Sequence, residues 1–217
     1  MIAREVTARI LADDRFKRGV TGEILAQFEA APASRIQHPD FMRAKALVSL
    51  RSTEEMMTRR DLAKFDRALE AAENNVRSTL ALNPADSFLW LLLYSVATAR
   101  GGFNEGNIRV LEQSYALGPL EGWIAPRRNR LSLASFPALQ GRVQESVVSE
   151  FSALVDGDFI EDAVTNLIGA GWAERERLLA SLVRVDVISR EAFAKRLIRD
   201  GIHVNVPGVE IDQRLWR

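Results

Sequence analysis

Between its proline and glycine breaks this chain spaces apolar residues three and four apart, and nowhere sustains the every-second-residue alternation of a strand. Such a chain can hide its apolar side chains only by laying helix faces against one another, so the expected fold class is all-α. Ile2, Val6, Ile10 and Phe16 open the pattern, with Arg4, Glu5, Arg9, Asp13, Asp14 and Arg15 on the other face, and predict a helix from almost the first residue to Lys17. Thr21 is a candidate cap for a short helix over 22–30, and Ala31-Pro-Ala-Ser34 breaks the chain. After Pro39-Asp40 a helix carries Phe41, Ala44, Leu47 and Val48, and Ser52-Thr-Glu-Glu55 reads as a capping box that starts a new helix reaching Leu82.

Further breaks divide the rest. Asp86 can cap a helix over 87–100 that Gly101-Gly102 stops, and a partner over 104–117 ends at Gly118-Pro119. Helices are then predicted over 121–134, 143–155, 158–168 and 173–183, with a last one capped by Ser189 and stopped by Gly201. The tail 202–217 has no helical period; it is expected to lie as an extended strap pinned by Val204, Val206 and Trp216.

Composition narrows the functional classes. With 47% hydrophobic residues in 217 the chain can bury a sizeable core. Its 29 basic and 29 acidic residues balance, so it presents no broad positive field for nucleic acid or an anionic membrane. The absence of cysteine removes disulfides, thiol nucleophiles and thiolate metal sites. The longest apolar stretch, Phe88 to Tyr94, falls far short of the roughly 18–20 residues of a membrane span.

The segment from Ala71 to Pro119 resembles a tetratricopeptide (TPR) repeat. Ala72, Val76, Thr79 and Leu80, followed by Leu82-Asn-Pro84, match the second helix of one unit and its closing proline. Trp90, Leu93 and Ala97 match the first helix of the next, Gly101-Gly-Phe103 its turn, and Tyr115-Ala-Leu-Gly-Pro119 its end. Pro84 and Pro119 lie 35 residues apart, one more than the family period, and the bulky Tyr94 and Gly106 depart from the pattern. An echo follows, in which Gly101-Gly-Phe103-x-Glu105-x-x-Ile108-x-x-Leu111 returns as Gly157-Asp-Phe159-x-Glu161-x-x-Val164-x-x-Leu167, 56 residues later. The resemblance implies one helical-repeat domain over 1–217, an α-α superhelix of stacked antiparallel hairpins. Its parts are N-terminal helices in 1–34, TPR-like hairpins in 39–119, degenerate hairpins in 120–201 and the tail in 202–217.

A narrower resemblance rests on Asn83-Pro-Ala-Asp-Ser-Phe-Leu-Trp90, Leu117-Gly-Pro-Leu-Glu-Gly-Trp-Ile-Ala125 and Arg127-Arg-Asn-Arg130. These runs look like bacterial TPR-like proteins associated with cell-envelope polysaccharide assembly. The group implies a scaffold or adaptor with a protein partner, periplasmic and membrane-anchored if a hydrophobic anchor precedes the helical part, and cytoplasmic otherwise.

Chemistry-bearing patterns are scarce: GxSxG, GxxxxGK[ST], HExxH and GxGxxG do not occur, and His38 and His203 have no ligand-spaced companions. The expectation is a non-enzymatic protein without metal or cofactor. The candidate partner-binding residues are Trp123, Arg127, Arg128 and Arg130, whose guanidiniums can grip phosphate, carboxylate or an acidic peptide bidentately. On a helix Arg128 turns away from Arg127 and Arg130, and an internal salt bridge to Glu112, Glu121 or another acid is the competing reading. Phe88, Trp90, Leu91 and Tyr94 read as core before groove. Two alternatives stand beside the scaffold: a glycan- or anion-binding module or enzyme built on Arg127, Arg128 and Arg130, and self-association through an uncapped terminal repeat.

Overall fold

The computed structural model describes residues 2–11, 17, 19–30, 39–57, 62–119 and 121–210. Every regular element among them is helical, and the chain divides into two compact units, Met1–Gly118 and Pro119–Arg217.

The first unit holds α1 (Ile2–Leu11), α2 (Val20–Ala30), α3 (Pro39–Met57), α4 (Leu62–Leu82), α5 (Ser87–Gly101) and α6 (Glu105–Leu117). Val6 and Phe28 bury against Ala44 and Val48, with Ile10, Ile24, Leu25 and Phe41 around them, so α1 and α2 both rest on α3. Phe28 meets Phe41 edge to face at 5.1 Å. From α3 onward each helix packs on the next. The Thr79 hydroxyl near the end of α4 donates to the Met42 carbonyl near the start of α3, and Ser114 in the last turn of α6 donates to the Ser87 carbonyl that opens α5. Both pairs are therefore antiparallel, and a short turn at Gly102–Asn104 joins α5 to α6.

Caps account for the boundaries of α5 and α6. Asp86 accepts from the Phe88 and Leu89 amides at 3.0 and 3.1 Å and starts α5, as its sequence position predicts. Gly102, at φ +69°, ends α5, and Asn104 accepts from the Asn107 amide to start α6. Two expectations fail. Thr21 caps nothing: α2 begins at Val20 with the Glu23 amide bonded to the Gly19 carbonyl, and Thr21 is buried inside the first turn. The Ser52 capping box does not start a helix, because α3 continues through it with Leu47, Leu50 and Ser52 all buried. Continuous burial of one face outweighs a cap worth about 1 kcal/mol. Lys17, the proposed end of the first helix, is not helical, while residues 12–16 before it and the expected jog near Arg60-Asp61 lie outside the described residues.

A carboxylate clip ties α4 to α5. Glu73 accepts from Arg77 at 2.8 Å, one turn along α4, and from Arg100 at the end of α5. Burial pushes Glu73 up, but the two arginine hydrogen bonds outweigh it and hold the carboxyl below the usual glutamate value. A lowered folded-state value stabilises the fold above the unfolded-state value, and that contribution is lost as pH falls through the lowered one. The unit should therefore lose more urea resistance between pH 7 and pH 3 in the wild type than in Glu73→Gln. Because both arginines are well exposed, the difference should stay at about 1 kcal/mol or below. Equal losses would remove the clip from the pH response.

The second unit holds α7 (Ala125–Ala134), α8 (Gly141–Asp156), α9 (Ile160–Ile168), α10 (Arg175–Ser181) and α11 (Val187–Arg199), with 3-10 turns at Phe136–Ala138, Trp172–Glu174 and Leu182–Arg184. Helix α8 is central and packs against α7, α9, α10 and α11. Arg128 bonds Glu150 and Asn129 bonds the Val147 carbonyl, so α7 and α8 run antiparallel. Pro126 meets Asn166 and Leu133 lies beside Gly171, contacts that advance together, so α7 and α9 run the same way.

Three boundaries differ from the sequence reading. Helix α7 starts at Ala125 and not at 121, because Pro126 is accepted only in a first turn; Trp123 consequently sits in a turn before the helix. Helix α9 starts at Ile160 after Asp158 adopts φ +65°. Asp186, not Ser189, caps α11, accepting from the Ile188 amide at 2.8 Å. The 56-residue echo has a structural counterpart: Gly102 and Asp158 occupy matching positions, both left-handed. Each is followed by an exposed phenylalanine, Phe103 or Phe159, and then by a buried pair, Ile108 and Leu111 or Val164 and Leu167.

At buried Gly171 an added Cβ would lie 2.9 Å from the Asn166 carbonyl oxygen and from Leu178 Cδ1, and 3.2 Å from Leu133 Cδ1. The backbone oxygen cannot retreat without moving the α9 terminus. Gly171→Ala should cost about 1–3 kcal/mol of unfolding free energy in urea titration, and a cost near zero would mean that the turn relaxes freely.

Beyond α11 the chain is neither helix nor strand through 202–210. Val206 is buried and Val204 half-buried, matching two of the three expected pins; Trp216 lies outside the described residues.

Candidate functional site

The four candidate residues part company. Trp123 is exposed (46%) in the turn before α7, and Arg130 is exposed on α7. Arg127 is half-buried. Arg128 is fully buried (0%), and its Nε and Nη2 donate to Glu150 Oε1 at 2.9 and 2.7 Å. Arg128 therefore belongs to the core, and the expectation of three arginines gripping one ligand fails at this residue. The reason is rotational: Arg127 and Arg130 share the outer face of α7, while Arg128, about 100° away, points at α8.

Arg128 and Glu150 head a buried polar layer. The Asn129 amide donates to the Val147 carbonyl at 2.9 Å, Asn166 donates to the Pro126 carbonyl at 3.0 Å and to Asn129 Oδ1 at 3.3 Å, and the Ser132 hydroxyl returns to the Arg128 carbonyl. These groups join α7, α8 and α9 by bonds that have only one geometry. Sequence reasoning named Glu112 and Glu121 as acids for the cluster and missed Glu150. A signal existed: Val143, Val147, Glu150 and Leu154 follow the 4-3-4 spacing of one helix face, which puts a carboxylate on an apolar stripe.

Outside the layer, Phe159 (37% exposed) lies against the turn that carries Trp123; a Cβ at Gly122 would sit 3.6 Å from its ring. Asp162, one turn into α9, is raised above the usual aspartate value by burial and by Glu161, against the opposing pull of Arg130. Arg130 and Asp162 thus share one neighbourhood on the outer face of α7 and α9. Glu161, exposed on α9, is held below its ordinary value by hydrogen bonds from Arg196 of α11.

The other singled-out residues resolve simply. Phe88, Leu91 and Tyr94 are buried core. Trp90 is half-buried with its indole N–H donating to the Pro84 carbonyl at 2.8 Å, so it clamps the turn before its own helix. His203 is exposed on the tail, and His38 lies outside the described residues. No described helix is long and apolar enough to cross a membrane. Compared with protein-family models, curated proteins and solved structures, the chain matches none.

Proposed function

We propose that this chain is a non-enzymatic helical scaffold, TPR-like in its first unit, that binds a protein partner through the surface of Trp123, Phe159, Arg127 and Arg130. The observation that carries the reading is the pair of large aromatic rings held outward by glycine-containing turns. Exposed aromatic rings with arginines on the adjoining helix have the composition of a recognition surface. The antiparallel pairs α3/α4 and α5/α6, each resting on its neighbour, support the repeat-scaffold part. The absence of reactive motifs from the sequence supports the non-enzymatic part. Binding of a glycan or small anion is the weaker alternative, because Arg128 is committed to Glu150 and Asp162 shares the surroundings of Arg130. Service in a bacterial envelope polysaccharide system rests on the runs around Trp90, Trp123 and Arg130, and the identity of the partner decides it.

The test is capture of partners on the immobilised full chain, beside Trp123→Ala/Phe159→Ala and Arg127→Glu/Arg130→Glu variants with unchanged helical circular dichroism. A protein held by the wild type and lost by both variants is the expected result. Retention by both, or binding of an oligosaccharide with no protein captured, overturns the proposal.

A further inference from the structure

The start of α11 carries an apolar patch left open among the described residues. Val187 (44%) and Ile188 (74%) begin the helix, and Val183 (63%) stands in the 3-10 turn Leu182–Arg184 just before it. Single exposed aliphatics are ordinary, but three within six residues form one surface. Charge surrounds it. Asp156 at the end of α8 accepts from the Asp186 amide at 3.1 Å, so the exposed Asp156 and Asp186, with exposed Asp158 two residues past Asp156, gather at this end of α11 beside exposed Arg184.

The chain's own end supplies a segment to match. After Gly201, at φ +77°, the chain turns back to α11, where Val206 is buried and Arg190 donates to the Pro207 carbonyl. Arg190 lies one turn beyond Val187 on the same helix face, so that bond sits about 5 Å along the helix axis from the patch. At about 3.3–3.6 Å per extended residue, the following Ile211-Asp-Gln-Arg-Leu-Trp-Arg217 can span the whole of it. This segment brings Ile211, Leu215 and Trp216 for the three aliphatics, Arg214 and Arg217 for the three aspartates, and Asp212 for Arg184. A tethered segment meets its dock at high effective concentration, an advantage that a free peptide or a second copy lacks.

We propose that residues 211–217 fold back onto the start of α11 and cover Val183, Val187 and Ile188, an intramolecular dock that fastens the tail beyond Val206 and takes this patch out of partner binding. The inference goes beyond the adaptor reading and stands or falls without it.

The chain has no cysteine, so a pair installed by substitution supplies its only thiols. Ile188→Cys is combined in the full chain with Ile211→Cys, Leu215→Cys or Trp216→Cys, and the oxidised products are read by non-reducing mass spectrometry. Arg142→Cys, exposed near the other end of α8 from Asp156, replaces Ile188→Cys as the distant control. At least one Ile188 pair should close within a single chain about tenfold faster than its Arg142 counterpart. A second measurement needs no thiol. Val183→Ser/Ile188→Ser changes only well-exposed side chains, and Leu215→Ser/Trp216→Ser changes only the segment. Each should speed hydrogen exchange across 202–210 by about tenfold, and the two together should be no faster than either alone, because both remove the same contact. Equal closure of the Ile188 and Arg142 pairs, or unchanged exchange in either double variant, would overturn the proposal. Disulfides that form only between two chains would overturn it in favour of a second copy, and loss of a captured partner from Val183→Ser/Ile188→Ser would overturn it by giving the patch to that partner.

Discussion

Replacing Glu150 by glutamine should destabilise the second unit by about 3–5 kcal/mol, a large part of the roughly 5–15 kcal/mol that holds a domain folded. Glutamine keeps the shape and one acceptor, but Arg128, at 0% exposure, would lose the carboxylate charge that its Nε and Nη2 both bond. An unbalanced buried charge costs far more than the pair contributes, since the pair itself must overcome the desolvation of both ions. The same reasoning fixes the control: Arg128→Met combined with Glu150→Leu removes both charges and should recover most of the loss. Urea titration followed by amide exchange in α8 measures both quantities. A double variant as unstable as Glu150→Gln would show that the geometry of the polar layer, not the lost carboxylate charge, sets the cost. In that event Asn129 and Asn166, which bond around the same place, should show matching losses when replaced by leucine.

The helices were legible where burial and capping agree. Asp86, Asn104 and Gly102 stand at the sequence breaks, and their side chains or backbone do what local chemistry allows there. Legibility failed where a local signal met a continuous buried face, as at Ser52, which α3 absorbs. It failed also where two caps compete within a few residues: Asp186 precedes Ser189 and reaches the free amide first. The candidate site was half legible. Helical rotation separates Arg128 from Arg127 and Arg130 on paper, but which acid receives it depends on the antiparallel register of α7 and α8, a long-range fact that no window of sequence contains. Over 202–210 the tail was legible as non-helical because Val204, Val206, Pro207 and Gly208 carry no helical period. Its grip by Arg190, 17 residues upstream of Pro207, was not.

Phe151→Ala should cost about 3–5 kcal/mol, because Phe151 is fully buried on α8, which packs against α11. Its ring meets that of Phe193 edge to face at 5.9 Å and 82°, a geometry worth about 0.5–1.5 kcal/mol beyond the area the rings bury. A cycle of Phe151→Leu, Phe193→Leu and the double variant isolates that part, since leucine keeps most of the volume and each single change should cost about 1.5 kcal/mol or less. The consequence reaches the tail. Phe193 shares α11 with Arg190, so a void at Phe151 lets the helix settle and shifts the guanidinium that holds Pro207. Phe151→Ala should therefore speed hydrogen exchange across 202–210 beyond the increase that its loss of global stability brings. An increase no larger than that would mean that global instability, not the seating of α11 on α8, governs the tail.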